Sequence, residues 1–322
     1  MSDIIEVIVD GLWRQGSQSL AVRLVAQNGQ PLPGWQPGAH IDVHLPCGII
    51  RQYSLTGPES PDDGYLICVA LEKTSRGGSR YIHQQLRPGQ TLLISHPRNL
   101  FPLHAAERVT LLAAGIGITP LYAMALRLDA EGVPFTLHYY LKNRQQGAFV
   151  SELLQRFSAE SVVIHSSYEG HSARHNLAAA LKDAHTRHPI YLCGPEGFMA
   201  TARRVAREKG WTEALIHSEA FQPIVTPAGG QEGETFNVTL ASSGEQWPVP
   251  PDKTIAQVLQ ENGVAVPLSC EMGICGACLT PVIDGVVDHR DTVQSEAEKS
   301  ASVQRIALCC SRSRSANLCI DL

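Results

Sequence analysis

Excess positive charge is missing from this chain of 322 residues: 26 Lys/Arg stand against 31 Asp/Glu, a formal net charge of −5. That removes the electrostatic footprint a nucleic-acid partner needs. An export signal is missing too. Met1-Ser2-Asp3-Ile4-Ile5-Glu6 has neither a basic start nor an apolar core, so a reducing cytoplasm is the expected location. Long apolar runs are scarce. One uncharged stretch, Val109 to Leu126, reaches 18 residues, but Gly115, Gly117 and Thr119-Pro120 interrupt it. It reads as strand, turn and helix start, and no membrane span is expected. Nor is there an internal repeat, a low-complexity tract or a disulfide framework. The nine cysteines are an odd number without regular spacing, and in a reducing compartment cysteines more often bind metal than each other.

What is present is concentrated in one loop. Cys270-Glu-Met-Gly-Ile-Cys275-Gly-Ala-Cys278 sets three thiols at C-x4-C-x2-C with Gly273 and Gly276 between them, and Cys309 and Cys310 follow downstream. This is the plant-type spacing for a [2Fe–2S] cluster, three ligands from a tight loop and one from a distant strand. Zinc is the competing occupant, although structural zinc sites usually draw on two separated cysteine pairs. From Thr235 onward there are 6 Lys/Arg against 10 Asp/Glu, so this region holds −4 of the net −5. An acidic face suits a basic partner, or simply solvent.

The rest of the chain divides by pattern, and its length allows two or three domains. Residues 1–103 read as all-β. Ile4–Val9, Ser19–Val25, His40–Leu45 and Tyr65–Leu71 are short strands broken by Asn28-Gly29, Pro33-Gly34 and Pro37-Gly38, the spacing of a small antiparallel barrel. Within it, Gly77-Gly78-Ser79 before the helical Tyr81–Leu86 offers free N–H groups to a phosphate, and Arg51 can add a bidentate contact. An ordinary helix cap is the plainer account of those glycines.

Residues 104–226 alternate strand and helix: Arg108–Ala114, Leu121–Ala130, Pro134–Leu141, Ala148–Phe157, Ser161–Ser167, Asn176–His185, Ile190–Cys193, Phe198–Lys209 and Ala214–Phe221. This predicts an α/β domain with a parallel sheet, whose ligands bind beyond the carboxyl ends of the strands. Gly115-x-Gly117-x-Thr119 and Cys193-Gly194-Pro195 fall there, with Thr119 expected as N-cap and Pro120 as first helical residue. Residues 227–234 read as a glycine-rich linker. Residues 235–322 read as a compact α+β domain around the cysteine loop.

Taken together these motifs give the whole chain a resemblance to the phthalate dioxygenase reductase family. The resemblance rests on Arg51-x-Tyr53-Ser54, Arg76-Gly77-Gly78-Ser79, Gly115-Ile-Gly117-Ile-Thr119-Pro120, Cys193-Gly194-Pro195, Glu219-x-Phe221, the cysteine loop, Asp288-His289-Arg290-Asp291, Cys309-Cys310-Ser311-Arg312 and Leu318-x-Ile320-Asp321-Leu322. It implies a multidomain protein: an FMN-binding antiparallel β-barrel, an NAD-binding α/β domain and a plant-type ferredoxin domain. Arg51 and the Gly77-Gly78-Ser79 amides would hold the FMN phosphate, with Tyr53 and Ser54 along the flavin and Ser54 at its reactive nitrogen. Gly115, Gly117, Thr119, Cys193, Gly194 and Pro195 would line the NADH site, and Phe221 would pack near the ring. The resemblance favours Cys270, Cys275, Cys278 and Cys309 as cluster ligands, with Cys310 the ambiguous neighbour. Two departures are visible. Ala114 replaces a glycine common in the family. Leu141-Lys142-Asn143-Arg144 is atypical, and with Glu169 it bears on the choice between NADH and NADPH.

The implied activity is electron transfer from NADH through FMN to the [2Fe–2S] cluster and on to a terminal oxygenase carrying Rieske and mononuclear iron. Other acceptors, a ferredoxin or a quinone, would use the same machinery; a non-catalytic zinc-binding protein would not. Arg312 and Arg314, near the last ligand, are the expected docking residues, and His83, His138, His217 and His289 are expected to be structural.

Overall fold

The computed structural model describes residues 4–59, 64–72, 77–181, 188–221, 234–294 and 296–322. Ser75, Arg76, residues 227–233 of the linker and the helix extension expected over 182–185 lie outside them. The chain forms two compact units, Met1–Phe221 and Gln222–Leu322.

The first unit opens with β1 (Ile4–Gln15), β2 (Ser19–Ala26), β3 (Ala39–His44), β4 (Ile50–Thr56), β5 (Tyr65–Ala70), helix α1 (Gly78–Gln84), β6 (Thr91–Ser95) and β7 (Arg98–Asn99). Their order is β4-β5-β2-β1-β6-β3-β7, and a further β3–β4 pairing closes the antiparallel sheet into a barrel. Ile41 and Val43 point into a core with Val7, Val22, Leu24, Leu55, Ile67 and Ile94, while His40 and Asp42 face outward from the same strand. β1 is longer than its apolar run because a bulge between Val9 and Gly11 lets it continue along β2.

The same unit continues with β8 (Val109–Ala114), α2 (Ile118–Ala130), β9 (Phe135–Leu141), α3 (Val150–Arg156), β10 (Val162–Ser166), α4 (Ala173–Ala180), β11 (Ile190–Cys193), α5 (Glu196–Glu208) and β12 (Ile216–Glu219). These strands form a parallel sheet in the order β10-β9-β8-β11-β12. Odd-numbered Leu111, Leu137 and Tyr139 pack under α2 and α3, and even-numbered Leu112, Tyr140 and Leu192 under α4 and α5. Both faces are therefore covered. α2 begins at Ile118 with Gly117 as its N-cap, so Thr119 is the second helical residue and not the cap. Its hydroxyl donates to Ile116 O at 3.1 Å, and Pro120 is tolerated because first-turn N–H groups have no helical partner anyway. Barrel and sheet share contacts. Ala123 of α2 belongs to the barrel core, Arg127 pairs with Glu59, and Phe149 N donates to Gln15 Oε1 at 2.9 Å.

The second unit contains β13 (Phe236–Leu240), β14 (Gln246–Val249), α6 (Ile255–Glu261), β15 (Leu279–Asp284), β16 (Val287–Asp288), α7 (Glu296–Lys299), β17 (Arg305–Ala307), β18 (Arg312–Ser313) and β19 (Asn317–Ile320). The main sheet runs β14-β13-β19-β15-β17, which puts the last strand at its centre, parallel to β13 and antiparallel to β15. Thr254 and Gln257 close a capping box at the start of α6. Among the described residues no helix is long and apolar enough to cross a membrane.

Candidate functional site

The cysteine loop bends through residues with positive φ: Glu271 at 55°, Gly273 at 72° and Gly276 at 69°. A side chain at Gly273 would stand 2.5 Å from Cys310 Sγ and 3.0 Å from Asp291 Cα, so glycine is needed there for space as well as for φ. These bends turn Cys270, Cys275 and Cys278 inward, each at most 4% exposed, with Cys309 at 7% beside them. The thiols hydrogen-bond one another: Cys270 contacts Cys275, and Cys309 contacts both Cys278 and Cys310, and these contacts with burial push the Cys270 and Cys278 thiols far above their usual range. Backbone amides point at sulfur, among them Met272 N to Cys270 Sγ at 3.3 Å, Ala277 N to Cys275 Sγ at 3.4 Å and Gly273 N to Cys309. Among the described residues no three ligands close on a single-ion centre. Four inward-facing thiols with amide donors to sulfur, three of them at C-x4-C-x2-C spacing in one loop, fit a binuclear iron–sulfur cluster. Cys310 is more exposed, and its Sγ faces Ser311 Oγ at 3.8 Å.

In the first unit, β4 carries Arg51, Tyr53 and Ser54. Arg51 lies against the start of α1: a side chain on Gly78 would come 2.6 Å from Arg51 Cγ, and one on Gly77 2.6 Å from Ile49 Cδ1. Gly77 precedes α1 at φ 98°, a conformation costly for any other residue, and Ser79 Oγ accepts from Glu72 N at 3.2 Å. Arg51, Gly77, Gly78 and Ser79 thus come together as one corner of the barrel. Burial pushes the Tyr53 phenol well above its usual range.

Ser54 alternates to the outer face of β4 and meets the parallel sheet. It hydrogen-bonds Glu219 at the end of β12, a partly buried residue whose carboxyl is pushed up to about 8 by desolvation and eased down by that bond. Glu219 sits opposite Cys193 in register, and the Cys193 thiol is raised by burial and by Glu219. Cross-strand from Ser54 is His40, 5% exposed and pushed down to about 4 by burial, with Arg98 acting the same way and Asp42 opposing. Neither His40 ring nitrogen, nor Thr56 Oγ1, nor Glu219 Oε2 has a hydrogen-bond partner. Buried polar atoms without partners are rare, and several around one serine mark where a polar ring system would bind.

Close backbone approach shapes the adjoining turn. A side chain on Gly117 would collide with the Cys193 carbonyl, and one on Gly194 would come 2.9 Å from Ala114 Cβ. The Ala114 methyl therefore faces Gly194. Gly115, at φ 56°, meets open space and is required for its conformation alone. Pro195 caps α5, and Phe221 packs on the core beneath α2. Thr119 is 2% exposed, and its hydroxyl turns to Ile116 O, which holds the turn. Arg144 and Glu169, beyond the carboxyl ends of β9 and β10, pair at 3.1 Å.

Two expectations need correction or supplement. Arg312 is not a docking residue. It is 7% exposed, stacked 5.0 Å over Phe236, and donates to the carbonyls of Lys253, Val249 and Pro250 at 2.9, 3.3 and 3.2 Å. Arg314 remains at the surface, paired with Asp288. Glu219 and His40 have no assigned role in the sequence reading. A glutamate quoted beside Phe221 and a histidine on the polar face of β3 carry no sign in sequence of being buried.

Comparison with known proteins bears on the whole arrangement. Residues 238–314 match the 2Fe-2S iron-sulfur cluster binding domain. The chain is 41% identical over 320 residues to a vanillate O-demethylase oxidoreductase of Pseudomonas sp. (strain HR199 / DSM 7063), covering 99% of this chain and 100% of that protein. Its structure is similar to phthalate dioxygenase reductase, described as modular for electron transfer from pyridine nucleotides to [2Fe-2S], with TM-score 0.74, 33% identity and coverage of 99% and 98%. It is also similar to an intact type IV self-sufficient cytochrome P450 monooxygenase, with TM-score 0.86 and 36% identity over 99% of this chain, but it spans only 41% of that longer protein.

Proposed function

The chain belongs to the phthalate dioxygenase reductase family and is an iron–sulfur flavoprotein oxidoreductase; on that premise we propose which residues carry its electrons and which acceptor receives them. It is the reductase component of a Rieske-type oxygenase or demethylase, drawing on NADH and passing electrons to a separate terminal oxygenase. The observation that carries this is two sites in one chain: four inward-facing thiols, and buried polar atoms without partners on His40, Thr56 and Glu219 near Ser54.

Arg51 and the amides of Gly77, Gly78 and Ser79 hold the FMN phosphate, where helix-start N–H groups and a guanidinium converge. Tyr53 and Ser54 orient the ring, and Phe221 covers it. Gly117 and Gly194 let the backbone approach the NADH, with Gly115, Cys193 and Pro195 completing the wall. Glu219, raised to about 8 by desolvation, accepts a hydrogen bond from the Ser54 hydroxyl and places no charge beside the nicotinamide at neutral pH. When bound, the flavin takes electrons as a pair and gives them singly, which links a nicotinamide to an iron–sulfur cluster. Cys270, Cys275, Cys278 and Cys309 hold the cluster, and the Met272 and Ala277 amides stabilise charge on its sulfurs. The Arg144–Glu169 pair supports NADH, because the guanidinium that would receive a ribose phosphate is engaged.

Anaerobic addition of NADH to the purified protein tests this. Flavin and cluster absorbance should bleach together, and the reduced protein should then reduce a Rieske oxygenase. A colourless protein that accepts neither FMN nor iron and sulfide would sink the reading.

A further inference from the structure

We propose that Asp291 is a positioning residue for the cluster, a buried anion that clamps the two halves of the thiol cage and holds the cluster's reduction potential down. The inference rests on the iron–sulfur reading above. The Asp291 carboxylate is fully enclosed, with 0% side-chain exposure. Every contact it makes is with a donor or an imidazole. Oδ2 accepts from Gln294 N at 3.1 Å, and Oδ1 from Gln294 Nε2 at 3.2 Å and Ser311 Oγ at 3.4 Å. His289 Nδ1 stands 3.5 Å from Oδ1. Ser311 Oγ already accepts from Arg290 N at 3.0 Å, which leaves its hydrogen for the carboxylate. Donors of this kind suit a carboxylate, which when ionised only accepts, and among the described residues no lysine or arginine pairs with it.

Its placement ties it to the cage. Ser311 follows Cys309 by two residues, so Oδ1 grips the segment that carries the distant thiol. On the other side, Thr292 N and Val293 N both donate to Gly273 O, at 2.9 and 3.2 Å, in the middle of the cysteine loop. Gly273 has no room for a side chain because Asp291 Cα and Cβ would lie 3.0 and 3.2 Å from it. One short segment, 288–294, therefore joins loop and strand, and its charge lies at the joint. In a low-dielectric interior a fixed negative charge opposes arrival of an electron, and net charge with hydrogen bonding is what sets iron–sulfur potentials.

The test is a redox titration of the full-length protein followed by the electron paramagnetic resonance signal of the reduced cluster. Asp291→Asn keeps the shape and removes the charge. Its reduced-to-oxidised ratio at a fixed ambient potential should rise by about threefold to tenfold, tenfold being about 59 mV for one electron. Ser311→Ala keeps the charge and removes one donor, so its potential should fall. A purely structural brace would not give opposite signs. An Asp291→Asn cluster at the wild-type potential or below it, or a Ser311→Ala cluster at or above it, overturns the proposal. If Asp291→Asn fails to retain a cluster, the sign of the Ser311→Ala shift decides. Wild-type protein without any cluster signal would instead remove the underlying iron–sulfur reading.

Discussion

A carboxyl that keeps its proton near neutrality leaves a trace in stability. Glu219 is raised from 4.5 to about 8 by burial, so between those values the folded chain holds a proton that the unfolded chain has released. The stabilisation is fully present below about pH 4.5, falls as pH rises and is gone by about 8, with a slope of at most about 1.4 kcal/mol per pH unit. Glu219→Gln is neutral at every pH and should lose this slope. Denaturant midpoints of wild type and variant should agree near pH 5 and separate towards pH 8, with the wild type falling below the variant; parallel curves would mean Glu219 is ionised in the fold. Such residues are where the sequence is least informative. Charge in a sequence ordinarily means surface, and only a neighbouring strand from the other sheet, bringing Ser54 to it, makes Glu219 an interior group.

At the scale of elements, the parallel sheet was legible because β and α runs alternate with the right lengths, and the loop because its cysteine spacing is specific. The barrel was only partly so. Strand β6, Thr91-Leu92-Leu93-Ile94-Ser95, goes unread because Leu93 is apolar yet 44% exposed, which hides the alternation that Leu92 and Ile94 would otherwise declare. The role of Arg312 was equally hidden. Its guanidinium gathers the carbonyls of Val249, Pro250 and Lys253, so β18 holds the end of β14 and the entry to α6. Arg312→Met should strand these carbonyls, destabilising the second unit by about 3 kcal/mol. Arg312→Lys should recover only part, because one ammonium nitrogen cannot reach all four carbonyls, Glu234 O among them, that the two guanidinium nitrogens span, nor stack on Phe236 as the planar guanidinium does. Thermal loss of cluster absorbance would measure both; a wild-type midpoint for Arg312→Met would show the carbonyls find other donors.

Across the whole molecule, charge is sorted by sequence region, with −4 of the net −5 after Thr235. If that region meets the oxygenase, delivery of electrons to the protein acceptor should slow with rising salt, while NADH-driven reduction of a small neutral dye stays nearly constant. Stopped-flow rates at two ionic strengths would distinguish them, and equal salt effects on both would assign the dependence to NADH binding instead. The order of strands in the second unit has a separate consequence, in time. β19 occupies the middle of its sheet, between β13 and β15, although it is the last strand made. Until residues through Ile320 have left the ribosome, β13 and β15 have no strand to join them. The sheet of this unit can therefore close only once residue 320 has been made, so any shorter nascent chain holds its two halves unjoined.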